Sequence, residues 1–123
     1  MKRADLTQMS VEELVLRFTA IALDQDEAIL MDDNAKFRRL YWQMDAVENE
    51  LKAREGDRRR ALLPLYEHSN LQVRLKAAVA TLAVEPEAAR RELQAISDSR
   101  AYPHAGDAGM TLVALDRGIF KPT

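Results

Sequence analysis

Two residues that could do chemistry lie in a glycine-rich stretch near the end of the chain, AYPHAGDAGMTLVALDRGIFKP at residues 101–122. His104 and Asp107 are three residues apart there, and a histidine paired with a carboxylate can act as a general base. The pair has no serine or cysteine nucleophile beside it, and AGDAG lacks the lysine and the glycine spacing of a phosphate-binding loop. A hydrolase using His104 and Asp107 is therefore kept as an alternative, and we predict no catalytic residue and no enzyme activity.

The chain has few residues that could hold a metal ion. It has two histidines, His68 and His104, and no cysteine, whereas a zinc site takes three or four ligands. The acidic residues between Asp24 and Asp33 lack the alternating ligands and the central glycine of a calcium-binding loop, so they are typical of solvated helix ends. We predict neither a metal site nor a cofactor.

The single tryptophan, Trp42, lies where a helical pattern places it away from the core. The apolar residues of its segment recur mostly at spacings of three and four: Phe37, Leu40, Tyr41, Met44, Val47 and Leu51. This pattern predicts one buried helical seam, and Trp42 lies about 160° from the middle of it. Because tryptophan and arginine are enriched among binding hot spots, we predict that Arg38, Trp42 and Asn49 bind a partner. The open alternative is that helix one or a neighbouring protomer covers Trp42.

Arginines form a second possible binding surface. Arg58, Arg59 and Arg60 are consecutive, and Arg38 and Arg39 could join them in a patch that contacts phosphates. The formal net charge of the chain is −2, however, and several glutamates lie between the two groups. Nucleic-acid binding, or a base-repair-type protein on a helical-repeat scaffold, is therefore an alternative and not the prediction.

Length and composition indicate the class of protein. A chain of 123 residues with 47% hydrophobic and 31% charged residues is typical of one globular domain. The first residues carry charges where a signal peptide needs an apolar core, and no apolar run approaches the roughly 18 residues of a membrane span. Since the chain also has no cysteine for disulfides, we expect it in the cytoplasm and away from membranes.

Helical periodicity continues almost throughout the chain and predicts an all-α fold. Ser10 and Glu13 form a capping-box pattern at the start of the first helix, which runs to about Leu30. The second helix is the Trp42 segment and ends at Gly56. The remaining helices are predicted at about 58–68, 70–84, 86–96 and 107–117, with Pro64 inside the third of the six.

The second half of the chain indicates an internal repeat. A shift of 30 residues aligns Thr81 with Thr111 and Leu82 with Leu112, so helices three–four and five–six resemble two copies of one hairpin. Helix four has apolar residues on two opposite faces, which predicts a central element packed from both sides. Gly109 is expected to allow close packing against helix four. The buried side of the last helix is predicted to comprise Leu112, Leu115 and Ile119.

Two resemblances point to the same architecture. Leu62-Leu63-Pro64-Leu65, a short turn, and Val73-Arg74 followed by Ala77-Ala78-x-Ala80 resemble a HEAT repeat, with His68 and Asn70 where such turns often carry an aspartate. The whole chain resembles a small bacterial family catalogued as a domain of unknown function, number two thousand and nineteen. That likeness rests on LVLRFTAIA, LLPLYEHSNLQVRLKAA and AGDAGMTLVALDRGIFKP. It implies a HEAT-like α–α superhelix and brings no catalytic residues.

The predicted fold is five to six antiparallel helices in a HEAT-like α–α superhelix, forming a single domain over residues 1–123. A helical hairpin is expected at about 10–55, a HEAT-like hairpin at about 57–84 and a degenerate closing hairpin at about 86–118. The expected function is a non-catalytic, protein-binding module of a bacterial cytoplasm. An immunity- or antitoxin-like protein is one concrete form of it. The sequence does not decide between a monomer and a homodimer.

Overall fold

A computed structural model describes residues 5–123, and within that range the chain is all-α and contains no β-strand, as the periodicity predicted. Its α-helices are α1 (Val11–Leu30), α2 (Asn34–Ala53), α3 (Leu71–Thr81), α4 (Pro86–Asp98) and α5 (His104–Asp116). Two 3₁₀ helices, Leu6–Gln8 and Arg58–Glu67, precede α1 and α3. Internal contacts divide the chain into two compact units, one ending at Ala61 and the other formed by Leu62–Thr123. No helix in the described part is long and apolar enough to cross a bilayer.

The first unit is built on the α1–α2 hairpin. The predicted capping box is present: the Ser10 hydroxyl accepts a hydrogen bond from the Glu13 amide, and the Glu13 carboxylate accepts one from the Ser10 amide. Asp33 caps α2 by accepting a hydrogen bond from the Lys36 amide, and the short connection before it turns α2 back along α1. The buried apolar residues of the hairpin are Leu14, Phe18, Ile21, Ala22 and Ala28 on α1, and Leu40, Met44, Val47 and Leu51 on α2.

The third predicted helix is wound as a 3₁₀ helix, Arg58–Glu67, and not as an α-helix. Pro64 lies inside it, and proline has no N–H to donate to the carbonyl four residues earlier. The preceding helix, α2, ends at Ala53, three residues before the predicted end at Gly56. Gly56 has φ +78° in the turn that follows, a left-handed conformation that glycine adopts without a steric cost.

The second unit contains α3, α4 and α5. Residues of both predicted apolar faces of α3 are buried, including Leu75 and Ala78 on one side and Val73 and Ala77 on the other. The cluster that holds the three helices together consists of Leu75, Ala78, Leu82, Ala89, Leu93, Ile96 and Ala108. Each helix contributes at least one of these residues, so the core of this unit forms only when all three helices pack.

Polar side chains fix the ends and the spacing of α3. Asn70 caps it, since its Oδ1 accepts hydrogen bonds from the amides of Gln72 and Val73. Arg74 Nε donates to Glu92 Oε2 over 2.7 Å, which ties α3 to α4. The arginine that the HEAT resemblance singled out is therefore paired with a glutamate of the next helix.

The last helix begins earlier than predicted. It starts at His104 and ends at Asp116, so Gly106 and Asp107 lie in its first turn and the loop before it is shorter. Gly109 was predicted to pack against helix four, which is α3 in the structure, but it faces α4. A Cβ built on Gly109 would lie 3.3 Å from Ser97 Oγ of α4.

The end of the chain also departs from the prediction at one residue. Leu112 and Leu115 pack against the core of the second unit as expected, whereas Ile119 is exposed. Ile119 follows Gly118, whose φ of +69° ends the regular helix, so its side chain no longer follows the helical periodicity on which the prediction relied.

Candidate partner-binding face

The Trp42 side chain lies on the exposed side of α2. The buried residues nearest to it along the helix are Leu40 and Met44, two positions before and two after, and two residues turn a helix by about 200°. The indole is therefore directed away from the buried seam, and 62% of Trp42 is exposed. One exposed apolar side chain is ordinary on a protein surface, so its neighbours decide whether it belongs to a binding face.

Tyr41 packs against the indole. The ring centroids of Tyr41 and Trp42 are 5.1 Å apart and their planes meet at 88°, an edge-to-face arrangement that aromatic pairs favour. The seam predicted from the sequence included Tyr41, which is wrong, because the residue is 48% exposed. It lies about 100° around the helix from Leu40, and the buried seam is narrower than that. The exposed feature is thus a pair of aromatic rings with a defined mutual orientation. The sequence prediction placed Trp42 on this face but not Tyr41.

Arg38 and Asn49 extend this face along α2. They lie four residues before and seven residues after Trp42, so the three side chains project from one side of about 16 Å of helix. All three are exposed. Asn49 Nδ2 donates to Asp45 Oδ2 over 3.2 Å, one turn away on the same side. We call Arg38, Tyr41, Trp42, Asp45 and Asn49 the Trp42 face.

The guanidinium of Arg38 is available to a ligand. It makes no ion pair and no side-chain hydrogen bond to any residue from 5 to 123. An arginine that is solvated in this way can bind a carboxylate with two nitrogens at once when a partner offers one. The structure therefore brings together the three residues that the sequence singled out, with one cationic group next to an aromatic pair.

The arginine run is partly committed to the protein itself. Arg59 is buried, and its Nε and one terminal nitrogen donate to the two carboxylate oxygens of Asp57 over 2.9 and 2.7 Å. This side-chain hydrogen bonding lowers the pKa of Asp57 below its ordinary value and raises the pKa of Arg59. Arg58 and Arg60 are exposed, but the middle guanidinium of the run is held by Asp57 and is not available to a phosphate.

His104 and Asp107 lie in the first turn of α5, so His104 belongs to a helix and not to the loop in which the sequence placed it. His104 is half-buried and Asp107 is exposed. Asp107 lines a cleft of about 230 Å³ between α3 and α5. The other residues that line it are Leu75, Lys76, Val79, Met110 and Thr111. One member of the pair, and not the pair itself, therefore faces this cleft.

The second histidine supports a turn. His68 Nδ1 accepts a hydrogen bond from the Asn70 amide over 2.9 Å, directly before α3 begins. Across residues 5–123, no three or more histidine, cysteine, aspartate or glutamate side chains are grouped so that they could hold a metal ion.

Comparison with known proteins places the chain among helical relatives. A family model described as "Domain of unknown function (DUF2019)" matches residues 12–116, which confirms the resemblance found in the sequence. The crystal structure of the protein RPA1889 from Rhodopseudomonas palustris CGA009 is similar with a TM-score of 0.94 and 50% sequence identity. The likeness covers 98% of this chain and 100% of that chain. No curated protein matches the sequence.

Proposed function

The chain belongs to the DUF2019 family, and we propose that it is a non-catalytic protein-binding module that recognises its partner through the Trp42 face. The observation that carries the proposal is the 62% exposure of Trp42 next to Tyr41 and Arg38 on one side of α2. Tryptophan, tyrosine and arginine are the residue types most enriched among those that dominate binding energy. Their occurrence together on one helical face is the composition expected of a binding hot spot.

The chemistry of this face limits the partner. The aromatic pair requires an apolar recess or an apolar surface, because its rings gain free energy only when water is removed from them. Arg38, one helical turn from Trp42, requires an acceptor, and a carboxylate is the best one because it can accept two parallel hydrogen bonds. The partner is therefore expected to present an acidic side chain about 5–6 Å from an apolar pocket.

The position of the face on α2 favours binding as well. Leu40, Met44 and Val47 anchor the opposite side of this helix in the first unit, so the exposed residues project from a regular, packed element. A preorganised face loses little conformational entropy on association. The bacterial cytoplasm is the setting that we propose for the interaction, which suits a chain without cysteine.

Nucleic-acid binding is the less favoured alternative. It would draw on Arg38, Arg39 and the run Arg58–Arg60, but Arg59 is committed to Asp57 and the net charge of the chain is −2. A titration with duplex DNA at several salt concentrations separates the two functions. Tight binding that weakens steeply as salt rises would favour the nucleic-acid function, because that slope counts phosphate contacts.

Affinity capture from cells of the source organism tests the proposal. Wild-type protein and the variant Trp42→Ala serve as baits, and the variant is expected to lose a specific partner while its helical circular dichroism stays unchanged. Tyr102→Ala is the matched control, because it truncates another exposed aromatic residue outside the Trp42 face. Capture of the same proteins by wild type and Trp42→Ala, or equal loss with both variants, would remove the Trp42 face as the binding site.

A further inference from the structure

The side of α1 opposite its buried residues carries a second apolar feature. Leu16, Leu23 and Leu30 recur every seven residues, and they are 71%, 41% and 83% exposed. Seven residues turn a helix by about 700°, within about 20° of two full turns, so the three side chains form one line along the helix. We call these three residues the leucine stripe.

The leucine stripe lies outside the buried core of the first unit. Leu16 lies between the buried residues Leu14 and Phe18, two positions from each, which places it about 200° around the helix from Leu14. Single exposed leucines are common, but an exposed leucine at every seventh position of a helix is the spacing with which helices pair. A partner that covers the leucine stripe must present an apolar surface of matching length and shape.

We propose that the leucine stripe is the contact through which two copies of this chain associate, with the two α1 helices antiparallel around a two-fold axis at Leu23. A two-fold interface joins the same patch of both copies, so the patch must be complementary to itself. A line of three equally spaced leucines meets that condition. Leu23 meets Leu23 of the partner subunit, and Leu16 meets Leu30 of the partner subunit.

The charges beside the stripe favour the antiparallel arrangement. Asp26 and Glu27 flank the stripe on its two sides, about 60° and 40° from it. In a parallel pair Asp26 would lie beside Glu27 of the partner subunit and Glu27 beside Asp26 of the partner subunit, and like charges repel. In the antiparallel pair Asp26 comes beside Thr19 of the partner subunit and Glu27 comes beside Ala20 of the partner subunit. Both of these residues are small and uncharged.

The charge of α1 also argues against a lipid surface as the occupant. The helix carries five carboxylates and one arginine, Arg17. An amphipathic helix that binds an anionic membrane needs cationic residues on its polar face, which is the opposite composition. A second copy of the chain requires no such charges, because the contact is between leucines.

The size of the stripe indicates how strong the association is. At 1.5 Å per residue, the 20 residues of α1 make a helix of about 30 Å. A contact about 10 Å wide along it covers less than the roughly 800 Å² per partner of a standard interface. The association is therefore reversible and depends on protein concentration.

Sedimentation equilibrium of the full chain at increasing concentration tests the proposal. The apparent mass should rise from 13.9 kDa towards twice that value. Leu23→Lys, which brings two ammonium groups together at the axis, should hold the chain at the monomer mass with unchanged helical circular dichroism. Val113→Lys makes the same kind of change at an exposed residue of α5 and should leave the association intact, as should Trp42→Ala.

Introduced cysteines test the antiparallel register, because the chain has none of its own. Leu23→Cys should form a disulfide-linked dimer under mild oxidation, since it places two cysteines at the axis within the roughly 7 Å that a disulfide spans. Leu16→Cys alone should not cross-link, whereas a mixture of Leu16→Cys and Leu30→Cys should. A wild-type chain that stays at 13.9 kDa, a dimer that survives Leu23→Lys, or Leu16→Cys linked to itself would each overturn the proposal.

Discussion

Asp57→Asn should lower the free energy of unfolding by about 2 kcal/mol, because it breaks the bidentate ion pair with Arg59. The substitution isolates that pair. An asparagine keeps an oxygen that can accept the hydrogen bond that Asp57 Oδ1 now receives from the Arg59 amide over 3.2 Å. Asparagine also tolerates the φ of +49° at this position better than most residues do.

The magnitude follows from the exposure of the two side chains, 7% for Arg59 and 30% for Asp57. Breaking a fully buried pair costs about 3–5 kcal/mol, since the buried charge loses its counter-charge. Arg59 is also attracted by the carboxylate of Glu48, which reduces the loss here. An exposed pair contributes about 0–1 kcal/mol. This pair joins a buried guanidinium to a partly exposed carboxylate, so we expect a loss between the two ranges.

The pH dependence has a definite sign. The hydrogen bond from Arg59 lowers the pKa of Asp57 in the folded state. A carboxyl of this kind adds stability above its unfolded pKa of about 3.9, and that stability is lost as the pH falls through the lower, folded pKa. The difference between wild type and Asp57→Asn should therefore be constant from neutral pH to about pH 5 and should shrink below about pH 4.

Urea unfolding followed by circular dichroism at several pH values measures both effects, provided that the denaturant slopes agree. Asp98→Asn is the control, because Asp98 is exposed and accepts its hydrogen bond from neutral Gln94. We expect that control to change the free energy of unfolding by less than about 0.5 kcal/mol. Equal stability of wild type and Asp57→Asn at neutral pH, or a difference that persists undiminished near pH 3, would refute the reasoning.

Two further predictions concern the second unit. Tyr66→Phe should lower the free energy of unfolding in urea by about 1 kcal/mol. Thr81 Oγ1 donates its hydrogen to the Ala77 carbonyl, so its buried oxygen accepts a hydrogen bond from the Tyr66 hydroxyl. An unchanged stability would contradict this assignment. Burial also raises the pKa of Tyr66 above its ordinary value. Gly109→Ala should raise the free energy of unfolding by about 0.5 kcal/mol, because alanine favours the helix and the Ser97 hydroxyl can rotate away from the new methyl. A lower stability would show that Ser97 and α4 cannot shift to make room for the new methyl group.

Local chemistry made most helix positions predictable. Ser10 and Glu13 specify the start of α1 through hydrogen bonds within four residues, and Asn70 does the same for α3. Pro64 is equally local, yet the sequence did not decide its effect. A kink, a late helix start and 3₁₀ winding are all compatible with a missing N–H, and packing of the whole segment selects among them.

The residues of the candidate face were harder to assign. Trp42 lies opposite the seam, so periodicity alone placed it away from the core, but periodicity left open whether another helix or a neighbouring protomer covers it. Tyr41 lies at the edge of the seam, where its exposure depends on the width of the buried seam. That width depends on how closely the neighbouring helix approaches. The leucine stripe on α1 was visible in the sequence as a seven-residue spacing, but the core pattern that runs through Leu14 and Phe18 accounted for the helix without it.

Calorimetric titration with the partner captured by wild type tests most directly whether the Trp42 face binds a protein partner. Trp42→Ala should weaken the affinity at least about 30-fold, which corresponds to the roughly 2 kcal/mol of a hot-spot residue, while Tyr102→Ala changes it by less than about threefold. If Trp42→Ala binds the partner as tightly as wild type does, the face around Arg38, Trp42 and Asn49 is not the binding site.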